Sequence, residues 1–333
     1  MTDTNDEFDH LVFIGRFQPF HHGHEFVVKK ALSKARQVIM LIGSANSPRT
    51  IKNPFTFEER TQMILSAFDD TDRKRIHCLP IDDTLYNDHK WLQNIQTAIV
   101  HTTEANARIG IIGHNKDDSS YYLSLFPNWG AIELPSFENL SATPLRKLYF
   151  ADGIIDKRMP DASWQFLQAF KHTTSYVKLY DEYHHIQAFK KQWQNTPYPP
   201  IFTTADALIV QSGHILLVER GGEYGNGLWA LPGGFLDINE RLIDCVLREL
   251  SEETGLSINH NTLKSRHTFD APDRSLRGRT ITTVFHFELT GNDLPTVKAG
   301  DDAKGVFWLP IHALDGKKMF EDHYSIITNI LGI

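Results

Sequence analysis

Residues Gly233 to Leu256 read GGFLDINERLIDCVLRELSEETGL. From Gly234 the order is a glycine, five residues, Glu240, seven residues, Arg248-Glu249-Leu250, one residue, Glu252-Glu253, one residue, Gly255-Leu256. Pro232, Gly233 and Gly234 predict a loop. The spacing beyond it predicts a helix from about Asn239 to Thr254, closed by Gly255. On a 3.6-residue period Ile243, Val246, Leu247 and Leu250 make one apolar stripe, the face that would enter a core. Glu249, Glu252 and Glu253 stand at i, i+3 and i+4 on a neighbouring face. Like charges so placed repel by roughly 0.2–0.5 kcal/mol per pair. They also sit near the helix C-terminus, where the macrodipole disfavours anions. A hard divalent cation turns that liability into a binding site, because Mg²⁺ takes carboxylate oxygens. The plainer alternative is a solvated acidic face.

The complete pattern resembles the signature of the Nudix hydrolase family. That resemblance implies a mixed-sheet α/β/α sandwich and metal-dependent cleavage of a nucleoside diphosphate linked to another moiety. It marks Gly234, Glu240, Arg248, Glu249, Glu252, Glu253 and Gly255 as the signature residues. Glu249, Glu252 and Glu253 are the expected ligands of Mg²⁺, with Mn²⁺ as an alternative, and Arg248 the residue expected to orient a glutamate. Asp270 to Arg279 (DAPDRSLRGR) resembles the substrate loop of NAD-linked members, so Arg274, Arg277 and Arg279 are candidates for diphosphate or ribose contacts. A solvated loop is the competing reading. The general base is not decided by the signature.

The front of the chain carries a second constellation. The apolar run Leu11–Ile14 leads into GRFQPFHHGH (Gly15 to His24), then a helical pattern through Ala35 and a second apolar run, Val38–Ile42. Strand, glycine turn, helix, strand predicts a βαβ unit of a parallel sheet. Ligands of such sheets bind beyond the carboxyl ends of the strands, where Gly15 to His24 would lie. His21 and His24 near a helix N-terminus would offer donors to a nucleotide phosphate; read alone, they could equally be structural. Thr56 and Glu59 predict a capping box opening a helix to Phe68. Arg108–Ile112 predicts a further strand ending at Gly113-His114. Thr143 is read as a helix cap, with Pro144 at the first helical position.

Three motifs here resemble nicotinamide mononucleotide (NMN) adenylyltransferases: Gly15 to His24, then Asn53-Pro54-Phe55 with Glu59-Arg60, then Ser141-Ala142-Thr143-Pro144-Leu145-Arg146. The segment Gly113 to Pro127 resembles the same family. The resemblance implies a Rossmann-like nucleotidyltransferase domain. It places His21, His24 and Arg146 as catalytic groups on the phosphates, and Gly15, Arg16, Phe17, Gly113, His114, Ser141 and Thr143 at substrate-binding positions. Ala142 departs from relatives that carry Ser or Thr there, losing a hydroxyl but no backbone donor.

Composition fits this division. A chain of 333 residues suggests two domains. The prolines of Asn195 to Pro200 cannot continue a helix and mark the expected linker, giving domains at 1–194 and 201–333. Trp164, Phe166, Leu167 and Phe170, and Tyr176, Leu179, Tyr180 and Tyr183, read as packing residues of two helices. A net charge of −7 without a basic block gives nucleic-acid binding little support. The two cysteines lie far apart, so no disulfide framework is expected and a reducing compartment fits. The polar N-terminus is no signal peptide, and no apolar run reaches the ~18–20 residues of a membrane span. A cytoplasmic protein is expected, and a homo-oligomer is left open. The two resemblances together are those of bifunctional NMN adenylyltransferase/Nudix hydrolases. They imply the small molecules ATP, NMN, NAD and ADP-ribose as partners. The rivals are a Nudix-like domain that acts on another dinucleotide or only senses a metabolite, and a front domain using another acceptor such as pantetheine phosphate.

Overall fold

The computed structural model of the chain describes residues 7–114, 125–300 and 303–333. Residues 115–124, within the Gly113 to Pro127 resemblance, and Asp301-Asp302 lie outside the described residues. By contacts the chain divides into Met1–Tyr180 and Asp181–Ile333. The division falls inside one helix, Thr174–Lys191.

The front unit alternates strands and helices: β1 (Phe8–Gly15), α1 (His22–Leu32), β2 (Ala35–Ile42), α2 (Phe57–Leu65), α3 (Asp70–Arg73), β3 (Ile76–Pro80), α4 (Asp88–Val100), β4 (Ile109–His114), β5 (Gly130–Leu134), α5 (Ala142–Asp152) and α6 (Asp161–Phe170). Its five strands are all parallel, in the order β3-β2-β1-β4-β5. The order reverses between β1 and β4, which opens a crevice at their carboxyl ends. Val38 to Ile42 is wholly buried, as a central parallel strand covered on both faces requires. Val12, Ile39, Leu41 and Ile111 pack with Ile95 and Ile99 of α4 and with Phe126.

Helix α2 begins with the expected box: Thr56 Oγ1 accepts from Glu59 N and the Glu59 carboxylate from Thr56 N. Helix α5 starts earlier than expected. Ser141, not Thr143, is its N-cap. Pro144 still falls in the first turn, where its missing N–H has no intrahelical partner to lose.

The eighth to eighteenth residues of α7 (Thr174–Lys191) belong to the rear unit. Its strands are β6 (Phe202–Gln211), β7 (His214–Arg220), β8 (Trp229–Ala230), β9 (Gly233–Phe235), β10 (Leu263–Phe269), β11 (Thr280–Glu288) and β12 (Ala303–Pro310), with helices α8 (Leu242–Thr254) and α9 (His323–Leu331). The sheet is mixed. β11 and β6 run parallel, while β10–β11, β6–β7 and β7–β12 are antiparallel. Alternate residues Ala205, Ala207 and Ile209 of β6 and Phe285 and Phe287 of β11 face Cys245, Val246 and Leu250 of α8 in one core. The intervening position, Asp206, therefore projects from the opposite face.

Helix α8 starts three residues after the expected Asn239. Asp237 to Glu240 form a turn instead, with the Glu240 carboxylate accepting from Asp237 N and Arg248. Gly255 closes α8 at φ 68°, the left-handed conformation that favours glycine. Of the residues read as packing residues of the two helices, Leu167, Phe170, Tyr176, Leu179 and Tyr183 are buried, whereas Trp164 is exposed.

Candidate functional site

In the front unit the turn after β1 and the start of α1 carry the histidines. His21 is the N-cap of α1 and His24 lies three residues on; their rings stack with centroids 3.6 Å apart. A Cβ on Gly23 would come within 3.0 Å of the His21 ring, so glycine lets that ring lie back across the helix start. His24 also packs edge-on against Phe17, at 4.9 Å between centroids. Phe17 is buried and holds φ at 51°, uncommon for a residue with a side chain. Its ring belongs to the core, so its contribution to a ligand would be through the backbone. A Cβ on Gly15 would stand 2.8 Å from that ring.

Arg146, on the first turns of α5, reaches back to this turn. Its Nη1 donates to the Gln18 carbonyl at 2.6 Å and its Nη2 to Thr143 Oγ1 at 3.2 Å. Burial, with the nearby Arg16 cation, lowers its pKa to about 10, so it remains charged at neutral pH. Neither Arg16 nor Arg146 makes an ion pair with a carboxylate among the described residues. His114, at the end of β4, has its Nδ1 2.9 Å from the Pro135 carbonyl and its Nε2 3.4 Å from the Gly23 carbonyl. The structure thus brings Gly15, Arg16, His21, His24, His114, Thr143 and Arg146 to one end of the sheet.

Three supports for this end were not assigned a role from sequence. Arg60 is fully buried and donates to the carbonyls of Arg16, Gly43, Ser44 and Thr56, tying together the carboxyl ends of β1 and β2. Gln18 exchanges two hydrogen bonds with the Phe55 backbone, at 2.9 and 3.0 Å. Asp83 accepts from both the backbone N and the hydroxyl of Ser44. The Arg60 position lay within a recognised motif, but only tertiary contacts show that it serves the backbone.

In the rear unit a cavity of about 440 Å³ opens on the face of the sheet where Asp206 projects. Gly233, Gly234, Glu249 and Glu253 line it, together with Arg220, Arg274, Arg277 and Glu321. A Cβ on Gly234 would stand 2.3 Å from Glu249 Oε1, so only glycine permits this approach of strand to helix. Glu253 accepts from Gly233 N at 3.0 Å. Burial pushes the Glu253 carboxyl up to about 7, against that hydrogen bond and helped by neighbouring Glu249. Burial also raises Glu249 and lifts Asp206 to about 6.

Arg248 is the brace of this face. It donates to both oxygens of Glu240, to Glu249 at 2.9 Å and to Glu252 at 3.0 Å. Glu252 is the outlier of the three carboxylates: 59% of its side chain is exposed, and it does not line the cavity. Among the described residues no three His, Cys, Asp or Glu side chains stand together in a metal-ready cluster.

The three loop arginines separate. Arg274 is committed to Asp322 by two bonds of 2.9 Å in a buried pair. Arg277 lies over the rings of Phe235 and Tyr224, 4.9 and 5.6 Å from their centroids. Arg279 donates to the Asp270 carbonyl and is not part of the cavity lining. Asp206, Arg220, Tyr224 and Glu321 were missed from sequence. A lone aspartate in the apolar strand TADALIV was the one available signal; the others carry none.

Residues 12–118 match the cytidylyltransferase-like family and residues 201–330 the NUDIX domain family. The chain is 46% identical over 178 residues to a nicotinamide/nicotinic acid mononucleotide adenylyltransferase of Acinetobacter baylyi, covering 53% of this chain and 94% of that one. It is 37% identical over 126 residues to an ADP-ribose pyrophosphatase of Methanocaldococcus jannaschii, covering 38% of this chain and 70% of that one. A bifunctional NMN adenylyltransferase/ADP ribose pyrophosphatase from Francisella tularensis superposes with a TM-score of 0.91 at 38% identity, over 98% of this chain and 99% of that one. The Francisella protein has also been solved in complex with AMP and a Mn ion, with the same TM-score.

Proposed function

The chain belongs to the family of bifunctional NMN adenylyltransferase/ADP-ribose pyrophosphatases, and from that membership we propose two reactions for it. The front unit joins NMN and ATP into NAD and pyrophosphate. The rear unit hydrolyses ADP-ribose to AMP and ribose 5-phosphate. The stretch 195–200 is the proposed linker between the two activities, and a cytoplasmic location suits both sets of substrates.

The reading of the front unit rests on the end of the parallel sheet, where three histidines and two arginines gather and where, among the described residues, no carboxylate is ion-paired to either arginine. Such a site acts by orienting a phosphate in line and by neutralising charge. His21 and His24 hold the ATP phosphates at the start of α1. Arg146, anchored on the Gln18 carbonyl, meets the departing pyrophosphate. Arg16, Gly15 and the backbone at Phe17, with Gly113 and His114, complete the substrate-binding positions; Ser141 and Thr143 converge with Arg146 on the ATP phosphates.

The reading of the rear unit rests on the cavity whose wall carries both carboxylates and arginines. A nucleoside diphosphate requires both, the carboxylates through a cation and the arginines directly. The donor set suits a hard divalent cation, since carboxylates whose pKa values burial raises are stabilised by a nearby positive charge. Glu249, Glu252 and Glu253 would hold Mg²⁺, for which Mn²⁺ can substitute. A cation bound there supplies an activated water and screens the diphosphate. Arg248 keeps Glu240 and Glu249 aligned, and Gly233 N–H orients Glu253. Glu252, now held by Arg248, would have to leave it to join the other two carboxylates.

Selectivity is the sharpest test. NAD contains the same ADP-ribose core, so a rear unit that cut it freely would undo the work of the front unit. Polar groups that bond the anomeric hydroxyl are left unpaired when nicotinamide replaces it, a mismatch that discriminates by orders of magnitude. ADP-ribose and NAD are supplied separately with Mg²⁺, and AMP is followed by chromatography. The expected kcat/KM ratio is on the order of 100 or more in favour of ADP-ribose. Comparable values would refute the assignment and make the rear unit a broad dinucleotide pyrophosphatase. A panel of acceptors with labelled ATP tests the front unit; transfer to pantetheine phosphate in preference to NMN would overturn it.

A further inference from the structure

Two arginines on the rear cavity wall, Arg220 and Arg277, make no ion pair with a carboxylate among the described residues. They are close enough for Arg277 to depress the pKa of Arg220, after burial itself. Both lie flat on aromatic rings: Arg220 over Phe320 at 4.0 Å, Arg277 over Phe235 and Tyr224. The Nε of Arg277 is buried without a hydrogen-bond partner. Two adjacent guanidiniums with no ion-paired carboxylate repel each other; an anion between them would relieve that repulsion, and their planar forks match phosphate oxygens.

These arginines sit at the edges of two different loops, and one side chain joins the loops. Glu321 Oε1 accepts from the Tyr224 hydroxyl at 2.7 Å, in the glycine-rich loop after β7, and from Leu276 N at 3.3 Å, beside Arg277. Glu321 holds φ at 45°, a conformation a residue with a side chain adopts at a cost. That cost is borne next to Phe320, the ring on which Arg220 rests.

We propose that Glu321 is a positioning residue for diphosphate recognition, clasping the two loops so that Arg277 stays beside Arg220 over the cavity. This rests on the ADP-ribose reading above. Glu321 acts through Tyr224 and Leu276, not on the reacting atoms. Loss of the clasp frees the Arg277 loop and weakens substrate binding, while the carboxylate face on α8 is untouched. The signature is therefore a rise in KM with kcat retained. Both contacts fall on one oxygen, and glutamine keeps an acceptor oxygen there, so the amide preserves the clasp while removing the charge.

The test is steady-state ADP-ribose hydrolysis at saturating Mg²⁺ by the full-length wild type, Glu321→Ala, Glu321→Gln and Tyr224→Phe. NAD synthesis by the same preparations reports an intact front unit. Glu321→Ala is expected to raise KM about tenfold with kcat within about threefold of wild type. Glu321→Gln should restore KM to near the wild-type value, and Tyr224→Phe, which deletes one hydroxyl and still folds if Glu321→Ala does not, should give a smaller rise. A collapse of kcat at constant KM would make Glu321 a catalytic group and overturn the clasp. Unchanged kinetics in Glu321→Ala and Tyr224→Phe, or a Glu321→Gln protein as impaired as Glu321→Ala, would overturn it as well. A wild type that leaves ADP-ribose intact would instead refute the functional reading, and the clasp with it.

Discussion

Magnesium should stabilise the rear unit far more at pH 8 than at pH 5.5, because it competes with a proton on Glu253. Burial lifts that carboxyl from 4.5 to about 7. A raised acid contributes stability that is fully present below pH 4.5 and lost as pH rises through 7. At about 1.36 kcal/mol per pH unit the loss without metal is about 3 kcal/mol. Asp206, raised to about 6 by burial, adds a loss in the same direction. Mg²⁺ needs the ionised form. At pH 5.5 the proton weakens its apparent affinity about thirtyfold, while at pH 8 competition is negligible. A concentration giving 100 times Kd at pH 8 therefore stabilises by about 2.7 kcal/mol there and by only about 0.8 kcal/mol at pH 5.5. For a unit of this size that is about 5–10 °C in Tm against about 2 °C. Scanning calorimetry with and without Mg²⁺ at the two pH values measures it, and Glu253→Gln should abolish most of the difference between them. Equal Mg²⁺ increments at both pH values would refute the assignment of a proton-competing cation to Glu253.

Other outcomes follow from the geometry. His24→Ala should lower kcat for NAD synthesis at least about tenfold, equivalent to about 1.4 kcal/mol; wild-type turnover would remove His24 from the front site. Gly234→Ala places a methyl where Glu249 Oε1 lies 2.3 Å away, so ADP-ribose hydrolysis should fall at least about tenfold while NAD synthesis persists; assays of both on one preparation decide it. Arg60→Ala removes four carbonyl contacts from a fully buried site and should destabilise the front unit by about 3–5 kcal/mol, read from its denaturation midpoint. A change below about 1 kcal/mol would mean that water replaces the guanidinium without loss.

Local chemistry made much of this protein readable before any coordinates. Gly234 through Leu256 declares a glycine loop, an amphipathic helix and a left-handed stop, since each depends only on neighbours within a few residues. The strand–turn–helix of Leu11 to Ala35 and the box of Thr56 with Glu59 are local in the same sense. Spacing placed Glu249, Glu252 and Glu253 on one side of a helix, and His21 with His24 at the start of another. Spacing could not say that Glu252 turns outward to Arg248 while Glu249 and Glu253 face a cavity, because that depends on where β9 crosses the helix.

The arginine loop shows the same boundary. Arg274, Arg277 and Arg279 are equivalent in sequence, three cations in a ten-residue loop. Asp322, forty-eight positions away, neutralises the first; Tyr224 and Phe235 hold the second without a charge; the Asp270 carbonyl takes the third. Asp206 looks like an interruption of an apolar strand until β6 is seated in its sheet and the alternation of side chains turns it to the cavity. Residues that read out the helix period or a turn were determined by the sequence alone. The partner of each charge was decided by the tertiary fold, because electrostatic and hydrogen-bond partners are chosen by distance in space, and the elements that supply them come from separate strands and loops.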